Sequence, residues 1–432
     1  MYELIDRKHS PAVYRPPKRA GFIINFNDLH ICSSCNGGVM KRNRITKVEP
    51  ISLYVPLEEK IDAPISVPHA ADLAEVVFSG YRTTLVRIET EEGISGVGEC
   101  MVRLTPTATR DIVNNLSPIL IGRDVLDREA IWELLYGSMM NRGHSRGFFT
   151  EAISGIDIAL WDCAAKTLGV PLYTLLGGRQ HDRLKAYASS LRFREMDVVV
   201  AQALDFKKRG YQSMKIKIGR NLEHPEADIE FVRAIREAVG DDIQLTVDAN
   251  CAYGDDVATA MMVGRALQDM NIFWFEEPLS PDNIDGNAQL ANALDIRIAL
   301  GEADFMKYGA REFLTRGAVD IFQPNISRTG GITEARRIAA LTQAFHIPYA
   351  PHTGSCSAVC LAATLQFAVA LPNFLIFESM QSDWSKAQPN PLRHHLLKEP
   401  AEIFKDGYMV IQEKPGIGAE LNEDVVDKWR VA

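Results

Sequence analysis

The chain is poor in cysteine and has no long uninterrupted apolar segment. Its 7 cysteines among 432 residues are an odd number and too few for a disulfide framework, which favours a reducing, cytoplasmic environment. The longest apolar stretch, residues 361–377, is interrupted by polar residues and a proline, and the charged amino terminus lacks an apolar stretch. The sequence therefore predicts neither a membrane span nor a signal peptide.

Basic charge and nucleotide-binding motifs are also scarce. Lysine and arginine number 47 against 56 acidic residues, a formal net charge of -9, so nucleic acid is not expected as the main partner. No GxGxxG follows the first barrel strand predicted below, which counts against a dinucleotide fold. Cys32 and Cys35 form a CxxC without a second pair, and we interpret it as chance rather than as a zinc or redox site.

The amino-terminal part divides into an extension and an α+β segment. Residues 1–43 lack apolar periodicity, and we expect an extension outside the fold. Residues 44–175 begin with strand patterns, two of which flank an acidic turn as in a hairpin, and continue with helical patterns. The predicted strands are 45–55, 81–89 and 93–99, and the predicted helices are 127–140 and 150–168.

Residues 176–395 alternate short β-branched strands with helical segments, as βαβ units around a parallel sheet do. Eight strands within about 200 residues match a closed barrel better than an open doubly wound sheet. The predicted barrel strands are 184–188, 214–218, 243–247, 272–275, 297–300, 320–323, 348–350 and 374–377. The predicted helices between them are 198–209, 227–239, 256–269, 283–294, 310–316, 333–345 and 357–371.

Two lysines lie on the second barrel strand. Lys215 and Lys217 are two residues apart, so their side chains point to the same face of the strand. Repulsion between the two buried ammonium groups is expected to lower at least one of their pKa values, and a neutral lysine can act as a general base. We favour this interpretation over a pair of surface lysines.

Three acidic residues, Asp248, Glu276 and Glu302, stand at the ends of the third, fourth and fifth barrel strands. Each alone could be a helix cap or a loop acid, but three carboxylates at a barrel mouth repel one another unless a cation neutralises them. The all-oxygen ligand set favours Mg²⁺ first and Mn²⁺ second over zinc. Such a metal acts as an electrophile toward a substrate oxyanion.

His352 and Glu378 follow the seventh and eighth strands. A lone histidine is often a core residue, but the position of His352 at a strand end, opposite Lys217, favours an acid–base role. Glu378 could cap a loop or form a hydrogen bond at the carboxylate of the substrate. Further polar candidates for substrate contacts in the amino-terminal segment are His69, Arg142, His144 and Arg146.

An ordered set of motifs resembles the mandelate racemase subgroup of the enolase superfamily. The resemblance extends over nearly all of the chain after residue 43, and residues 155–178 resemble the link between the capping domain and the barrel of that family. The motifs are KIK at 215–217, VDAN at 247–250, FEEPL at 275–279, GEA at 301–303, QPNISRTGGITEA at 323–335, APHT at 350–353 and FES at 377–379.

The resemblance implies a modified (β/α)7β TIM-type barrel over residues 176–395. An α+β capping domain would be formed by residues 44–175 and completed by the C-terminal segment 396–432. The resemblance also implies a homo-oligomer and a small-molecule carboxylate substrate, such as a sugar acid or its lactone. The implied Mg²⁺ ligands are Asp248, Glu276 and Glu302, the implied acid–base residues are Lys217 and His352 on opposite faces of the substrate, and the implied polar contacts are Lys215, Asn250 and Glu378.

One position, Asn325, departs from the pattern of the family, where an aspartate that pairs with the histidine is usual. An amide can accept a hydrogen bond and fix the tautomer of the imidazole, but it does not stabilise imidazolium as a carboxylate does. We therefore expect His352 to be a weaker base than in the standard pair, which argues against a simple two-base racemase.

The predicted first step is removal of the proton α to a carboxylate, giving an ene-diolate held by Mg²⁺ and Lys215. Loss of a β-hydroxyl would then make a dehydratase that forms a 2-keto-3-deoxy acid, and loss of a ring oxygen a cycloisomerase that opens a lactone or anhydro ring. Reprotonation at carbon would make a racemase or epimerase, which we rank third. A metal-binding barrel without catalysis would explain Asn325 but not the lysine pair and the three acids.

Overall fold

The computed structural model of the chain describes residues 42–59, 61, 76–385 and 387–431. The CxxC motif, His69 and residues 1–41 of the predicted extension lie outside these residues. Within the described ranges, no helix has the length and apolar character needed to cross a membrane.

The capping domain is a three-stranded antiparallel sheet covered by helices. The sheet order is β1 (Ile45–Pro56), β2 (Gly80–Thr90) and β3 (Ser95–Cys100), and Leu85 lies opposite both Ile51 and Glu99. Helices α1 (Pro106–Leu120), α2 (Arg128–Met139) and α3 (Phe148–Thr167) follow, with 3-10 turns at Val125–Asp127 and Met140–Arg142.

Helix α3 packs directly on strand β3 because glycines replace side chains at their contact. A Cβ atom on Gly98 would lie 2.0 Å from the carbonyl oxygen of Gly155, a distance that no side chain tolerates. This close approach buries α3 along most of its length, and its apolar residues join the cores of the cap and the barrel. The first barrel strand begins soon after this helix.

The barrel has eight strand positions and seven intervening helices. The strands are β4 (Leu184–Leu191), β5 (Ser213–Lys217), β6 (Gln244–Asp248), β7 (Trp274–Glu276), β8 (Arg297–Leu300), β9 (Ile321–Phe322), a single residue at Tyr349, and β10 (Phe377–Met380). The helices, preceded by the short α4 (Leu172–Leu175), are α5 (Met196–Lys208), α6 (Glu226–Val239), α7 (Val257–Asp269), α8 (Ile284–Ala293), α9 (Met306–Thr315), α10 (Gly331–Ala344) and α11 (Ala358–Ala368).

The strands from β4 to β9 pair in parallel, and β10 pairs with β4. Closure of the barrel therefore depends on the seventh strand position, at Tyr349, which lies between β9 and the last strand. The backbone there bonds to both sides: Ala350 N–H donates to Phe322 O at 3.0 Å, and Leu375 N–H donates to Tyr349 O at 2.9 Å. The ring is therefore closed, which confirms the predicted modified (β/α)7β barrel with an α+β cap.

Helix α12 (Pro391–His394) precedes the C-terminal segment, which contains β11 (Phe404–Lys405), β12 (Tyr408–Met409) and α13 (Glu423–Trp429). Its hairpin pairs with the barrel, since β12 lies antiparallel to β4. Its end pairs with the cap, since Val431 N–H donates to Ser52 O at 3.0 Å. The segment thus contacts both the barrel and the cap.

Some predicted boundaries require correction. Asn43, which we assigned to the extension, is fully buried and its amide donates to Thr167 Oγ1 at 3.0 Å, so the ordered cap includes it. Helix α1 was not predicted. The last barrel strand lies at Phe377–Met380 rather than at 374–377, although Phe374 forms a bridge with Tyr349.

A buried carboxyl group in α3 connects the cap to the barrel. Asp157 accepts hydrogen bonds from the backbone N–H of Thr333 at 2.8 Å and from its hydroxyl at 2.6 Å, at the amino end of α10. Burial raises the pKa of Asp157 to about 7, although these hydrogen bonds oppose the increase.

The pH dependence of stability follows from this pKa. The unfolded chain releases this proton near pH 4 and the folded chain near pH 7, so the folded state binds more protons between these values. The free energy of unfolding is therefore expected to fall from pH 5 to pH 8 by roughly 2–3 kcal/mol from this group. Urea unfolding at both pH values should show a smaller decrease for Asp157→Asn than for the parent chain, and equal decreases would contradict the assignment.

Candidate active site

A cavity of about 500 Å³ lies at the carboxyl ends of the barrel strands, partly under residues of the cap. Of the predicted site residues, those that line it are Lys217, Asn250, Glu302 and His352. Several non-glycine residues on its wall have left-handed backbone conformations, with φ of 45° at Asn250, 42° at Glu277 and 60° at Ser355. Backbone strain of this kind is concentrated at functional sites.

The three predicted acids converge beside this cavity. Oxygen atoms of Asp248, Glu276 and Glu302 lie within 4.8 Å of one another, and this is the metal-compatible cluster found among the described residues. Glu276 is oriented by two donors to its Oε2 atom, Trp274 Nε1 and Gln323 Nε2, each at 3.0 Å. The barrel therefore fixes three carboxylates where their negative charges reinforce one another.

Lys215 is buried among carboxylates. Its Nζ atom lies 2.8 Å from Glu276, 2.9 Å from Glu378 and 3.2 Å from Asp248, and the side chain is 1% exposed. Neither Lys215 nor Glu378 lines the cavity, so their predicted contacts with a substrate stay predictions.

Lys215 does not show the lowered pKa that we expected for at least one of the two lysines. Burial lowers the pKa of Lys215, but the charges of Glu276 and Glu378 outweigh burial and raise it well above its usual value. The prediction considered only the two lysines on one strand, whereas the neighbouring strand ends supply more negative than positive charge.

Lys217 reaches the cavity from the second strand. Its Nζ atom donates to Asp248 Oδ2 at 2.5 Å and to Asn250 Oδ1 at 2.8 Å. These two acceptors fix the position of the amine at the edge of the acid cluster. Asn250 therefore orients Lys217 in this structure, a role that differs from the substrate contact we predicted.

The buried charges change the protonation of the acids. Burial opposes ionisation of Asp248, but Lys217 and Lys215 outweigh it and hold the pKa of Asp248 below its usual range. Burial and the charge of Asp248 raise the pKa of Glu276 to about 8. The cluster thus retains a proton at neutral pH, which is the behaviour of carboxylates that require a cation to ionise together.

The imidazole of His352 is held between an acid and an amide. Its Nε2 atom lies 3.1 Å from Glu302 Oε2, and its Nδ1 atom lies 3.0 Å from the amide nitrogen of Asn325. Burial lowers the pKa of His352, although Glu302 and Glu378 oppose the decrease. The imidazole is therefore favoured in its neutral form.

The amide of Asn325 donates to His352, whereas we predicted that it would accept. Asn325 Oδ1 accepts hydrogen bonds from Ser327 N–H at 2.9 Å and from the Ser327 hydroxyl at 2.6 Å. A backbone N–H can only donate, so this end of the amide is the oxygen and the nitrogen faces the imidazole. His352 Nδ1 must then accept, which places the proton of the neutral ring on Nε2, at the cavity.

Two buried glutamates position the loop of His352. Glu378 Oε2 accepts from the backbone N–H groups of Thr353 at 2.7 Å and Gly354 at 3.0 Å. Glu99, on cap strand β3, accepts from the N–H groups of Ser357 and Cys360, both at 2.8 Å, at the start of α11. The cap therefore contributes to the geometry of the site through a residue that sequence reasoning did not identify.

Other residues of the site were also missed. Arg103, which follows β3, and Arg192, which follows β4, line the cavity together with Trp384. No periodic pattern marks these positions, because docking of the cap on the barrel brings them together. The cap candidates Arg142, His144 and Arg146 are absent from the cavity wall formed by the described residues.

Two family models match the chain and together span most of it. The model for the mandelate racemase / muconate lactonizing enzyme N-terminal domain matches residues 62–177, and the enolase C-terminal domain-like model matches residues 198–425. The chain belongs to the mandelate racemase/muconate lactonizing enzyme family. It is therefore an enzyme of the enolase superfamily, a lyase or an isomerase.

Curated relatives of the chain are likewise a lyase and an isomerase of sugar acids. The chain is 35% identical over 382 residues to D-galactarolactone cycloisomerase of Agrobacterium fabrum, covering 87% of this chain and 97% of that protein. It is 34% identical over 379 residues to D-xylonate dehydratase of Haloferax volcanii, covering 82% of this chain and 87% of that protein.

Solved structures of the superfamily share the fold. The 3,6-anhydro-D-galactonate cycloisomerase from Zobellia galactanivorans superposes with a TM-score of 0.78 at 27% identity, covering 90% of this chain and all of that one. A member of the enolase superfamily from Polaromonas sp. JS666 gives a TM-score of 0.78 at 30% identity, covering 90% and 98%. Membership of the mandelate racemase/muconate lactonizing enzyme family thus agrees with both sequence and fold.

Proposed function

We propose that the protein is a Mg²⁺-dependent acid-sugar dehydratase that removes the proton α to the carboxylate of its substrate. The observation that supports this proposal is the presence of two proton-transfer groups, Lys217 Nζ and His352 Nε2, on one cavity beside three carboxylates. The lysine is on the second barrel strand and the histidine follows the seventh position, whereas the acids follow the strands between them. Such an arrangement suits proton removal and proton donation on two sides of one ligand.

The acid cluster fits a hard divalent cation. Asp248, Glu276 and Glu302 offer only oxygen ligands, and the cluster includes neither a histidine nor a cysteine. When bound there, Mg²⁺ would stabilise negative charge that develops on the substrate carboxylate as the α proton leaves.

Lys217 would accept the α proton at Nζ. Asp248 and Asn250 hold its amine on the cavity wall, which fixes the direction of proton transfer.

His352 would donate a hydrogen bond from Nε2 to the departing β-hydroxyl, which leaves as hydroxide and takes its proton from the solvent, because loss of the Nε2 proton from the neutral ring would leave an imidazolate. Its ring nitrogen Nε2 carries the proton because Nδ1 accepts from Asn325. A histidine in this tautomer cannot act as a base at Nε2 unless its proton moves to Nδ1, against the amide of Asn325. We therefore favour elimination over racemisation, which needs a base on each face of the substrate.

Cycloisomerisation is the second candidate. The same two residues would act if a ring oxygen of a lactone or anhydro sugar, rather than a β-hydroxyl, were the leaving group. The 35% identity to a D-galactarolactone cycloisomerase over nearly the full length of that protein supports this alternative.

A substrate panel distinguishes these reactions. The Mg²⁺-loaded enzyme is incubated in D₂O with six-carbon aldonic acids, aldaric acids and their lactones, and NMR follows loss of the α-proton signal and appearance of products. A keto-deoxy acid from an open-chain substrate supports dehydration, and ring opening of a lactone supports cycloisomerisation. Exchange in no member of the panel would overturn the proposal.

The pH profile of Asn325→Asp tests the orientation of the histidine. A carboxylate at this position would accept a hydrogen bond from Nδ1–H and stabilise imidazolium, so the pKa of His352 should rise. The limb of the pH profile of kcat/KM that depends on His352 should accordingly move to higher pH. Rate profiles should be compared with ¹⁵N NMR of the imidazole, which reports the proton on Nε2 in the parent chain and on Nδ1 in the variant. An unchanged limb and tautomer would contradict the assignment.

A further inference from the structure

A second cavity lies in the cap, separate from the active site. It has a volume of about 590 Å³, and it shares no lining residue with the cavity at the carboxyl ends of the barrel strands. We call it the cap cavity. Its apolar lining residues are Ile112, Leu116 and Ile119 of α1, Met139 of α2, and Phe148 and Phe149 of α3.

Helix α1 supplies one wall of the cap cavity. Val113 and Leu120 of this helix are fully buried in the core of the cap, whereas Ile112 and Ile119 keep part of their surface exposed. Ile112, Leu116 and Ile119 recur at the four- and three-residue spacing of one helical face. This second apolar face therefore stays accessible from the cavity.

The wall and the floor of the cap cavity suit a ligand with an apolar body. Leu116 and Phe149 are 6% and 7% exposed and form its floor, while Phe148 is 38% exposed. Single exposed apolar side chains are ordinary on a protein surface, but a concave set of aliphatic and aromatic residues is typical of a ligand site. A cavity of this volume can accept an aromatic ring.

The polar part of the lining is basic. His144 and Arg146, which the sequence singled out and which the active site does not use, both line the cap cavity, and none of its described lining residues is acidic. Among the described residues, Arg146 forms no hydrogen bond or ion pair. Asp304, an acid on which the charge of Arg146 acts, is buried and does not line the cavity. The guanidinium therefore has unused donors for an anionic group of a ligand.

We propose that the cap cavity binds an amphipathic monoanion, a carboxylate that carries an aromatic ring. The ring packs against Ile112, Leu116 and Phe149, and the carboxylate binds Arg146. This ligand differs from the substrate, because the cap cavity contains neither a proton-transfer group of the active site nor a member of the acid cluster. The proposal is independent of the proposed function for the same reason.

Three probes separate the contributions of the ring and of the charge: 4-phenylbutyrate, 4-phenyl-1-butanol and butyrate. Methyl NMR locates binding, since Ile112, Ile119 and Met139 line the cap cavity and Met380 lines the active site. Phenylbutyrate should shift the first three signals and bind roughly tenfold or more tightly than butyrate, because its ring leaves water. It should bind roughly threefold more tightly than the alcohol, the modest gain expected of an exposed guanidinium.

Variants of the lining assign these preferences to the cap cavity. Arg146→Gln should make the acid and the alcohol bind equally while leaving the affinity for the alcohol unchanged. Asn115→Trp, at an exposed position of α1, should fill the cavity and weaken the binding of both. Arg142→Gln, at a nearby exposed position that does not line the cavity, is the matched control and should change neither affinity.

Three results would overturn the proposal. The first is a shift of the Met380 signal alone, which would place the probe in the active site. The second is equal binding of phenylbutyrate and butyrate, or an unchanged preference for the acid over the alcohol in Arg146→Gln. The third is failure of phenylbutyrate to bind together with dissociation of an oligomer by Asn115→Trp in sedimentation experiments, which would show that the cap cavity is an interface between copies of the chain.

Discussion

Lys217→Ala is expected to abolish both exchange of the α proton with solvent deuterium and formation of product. The amine of Lys217 is the basic group fixed on the cavity wall by Asp248 and Asn250, so its loss removes the acceptor of the first proton transfer. General bases contribute roughly 10²–10⁴-fold to rate, and exchange should fall by at least that factor. NMR in D₂O with the best member of the panel measures both quantities in one sample.

His352→Asn should separate the two steps that Lys217→Ala removes together. In the proposed elimination, the Nε2–H group of His352, which lies 3.1 Å from Glu302 Oε2 in this structure, donates a hydrogen bond to the departing oxygen, so product should be lost while α-proton exchange stays detectable. Lys208→Ala, on the exposed surface of α5, is the matched control and should retain exchange and product. If His352→Asn eliminates exchange while Lys217→Ala preserves it, the histidine is the base and the two roles are reversed.

The sequence was sufficient to predict the barrel because its strands alternate with helices at regular intervals. The sequence did not predict how short the seventh barrel strand is. Pro348 and Pro351 lie on either side of this strand position and have no N–H group to donate to a neighbouring strand, so pairing is limited to Tyr349. Helix α1 escaped prediction because Pro118 and a threonine-rich first turn lower its intrinsic helix propensity, although its buried residues Thr109, Val113, Leu116 and Leu120 recur at helical spacing.

The sequence likewise predicted some features of the candidate site and missed others. The three acids could be predicted because Asp248 and Glu276 end their strands and Glu302 lies two residues beyond its strand, and parallel strands bring their carboxyl ends to one rim. The direction of the Asn325 amide could not, since it depends on Ser327 donating to the amide oxygen. The high pKa of Lys215 likewise depends on carboxylates that arrive from other strands and was outside the reach of a single-strand pattern.

Removal of divalent metal with a chelator should abolish activity, and Mg²⁺ should restore it. Asp248→Asn and Glu302→Gln each remove one charged ligand from the cluster, so both should weaken metal binding and slow turnover by roughly two orders of magnitude or more. Electron paramagnetic resonance of added Mn²⁺ measures the affinity directly, without reference to catalysis. Full activity in excess chelator, after metal removal is verified by elemental analysis, would refute the metal assignment.

The neighbouring Glu277 provides the control for this experiment. Its carboxyl group is buried beside the cluster, and burial together with the charge of Glu302 raises its pKa well above the usual value, which favours its neutral form. A neutral carboxyl group contributes no charge to metal binding, and Glu277→Gln has nearly the same shape and charge. The affinity for Mn²⁺ should therefore stay close to that of the parent chain. A loss as large as that of Asp248→Asn would show that Glu277 ionises and that the cluster has four acidic ligands instead of three.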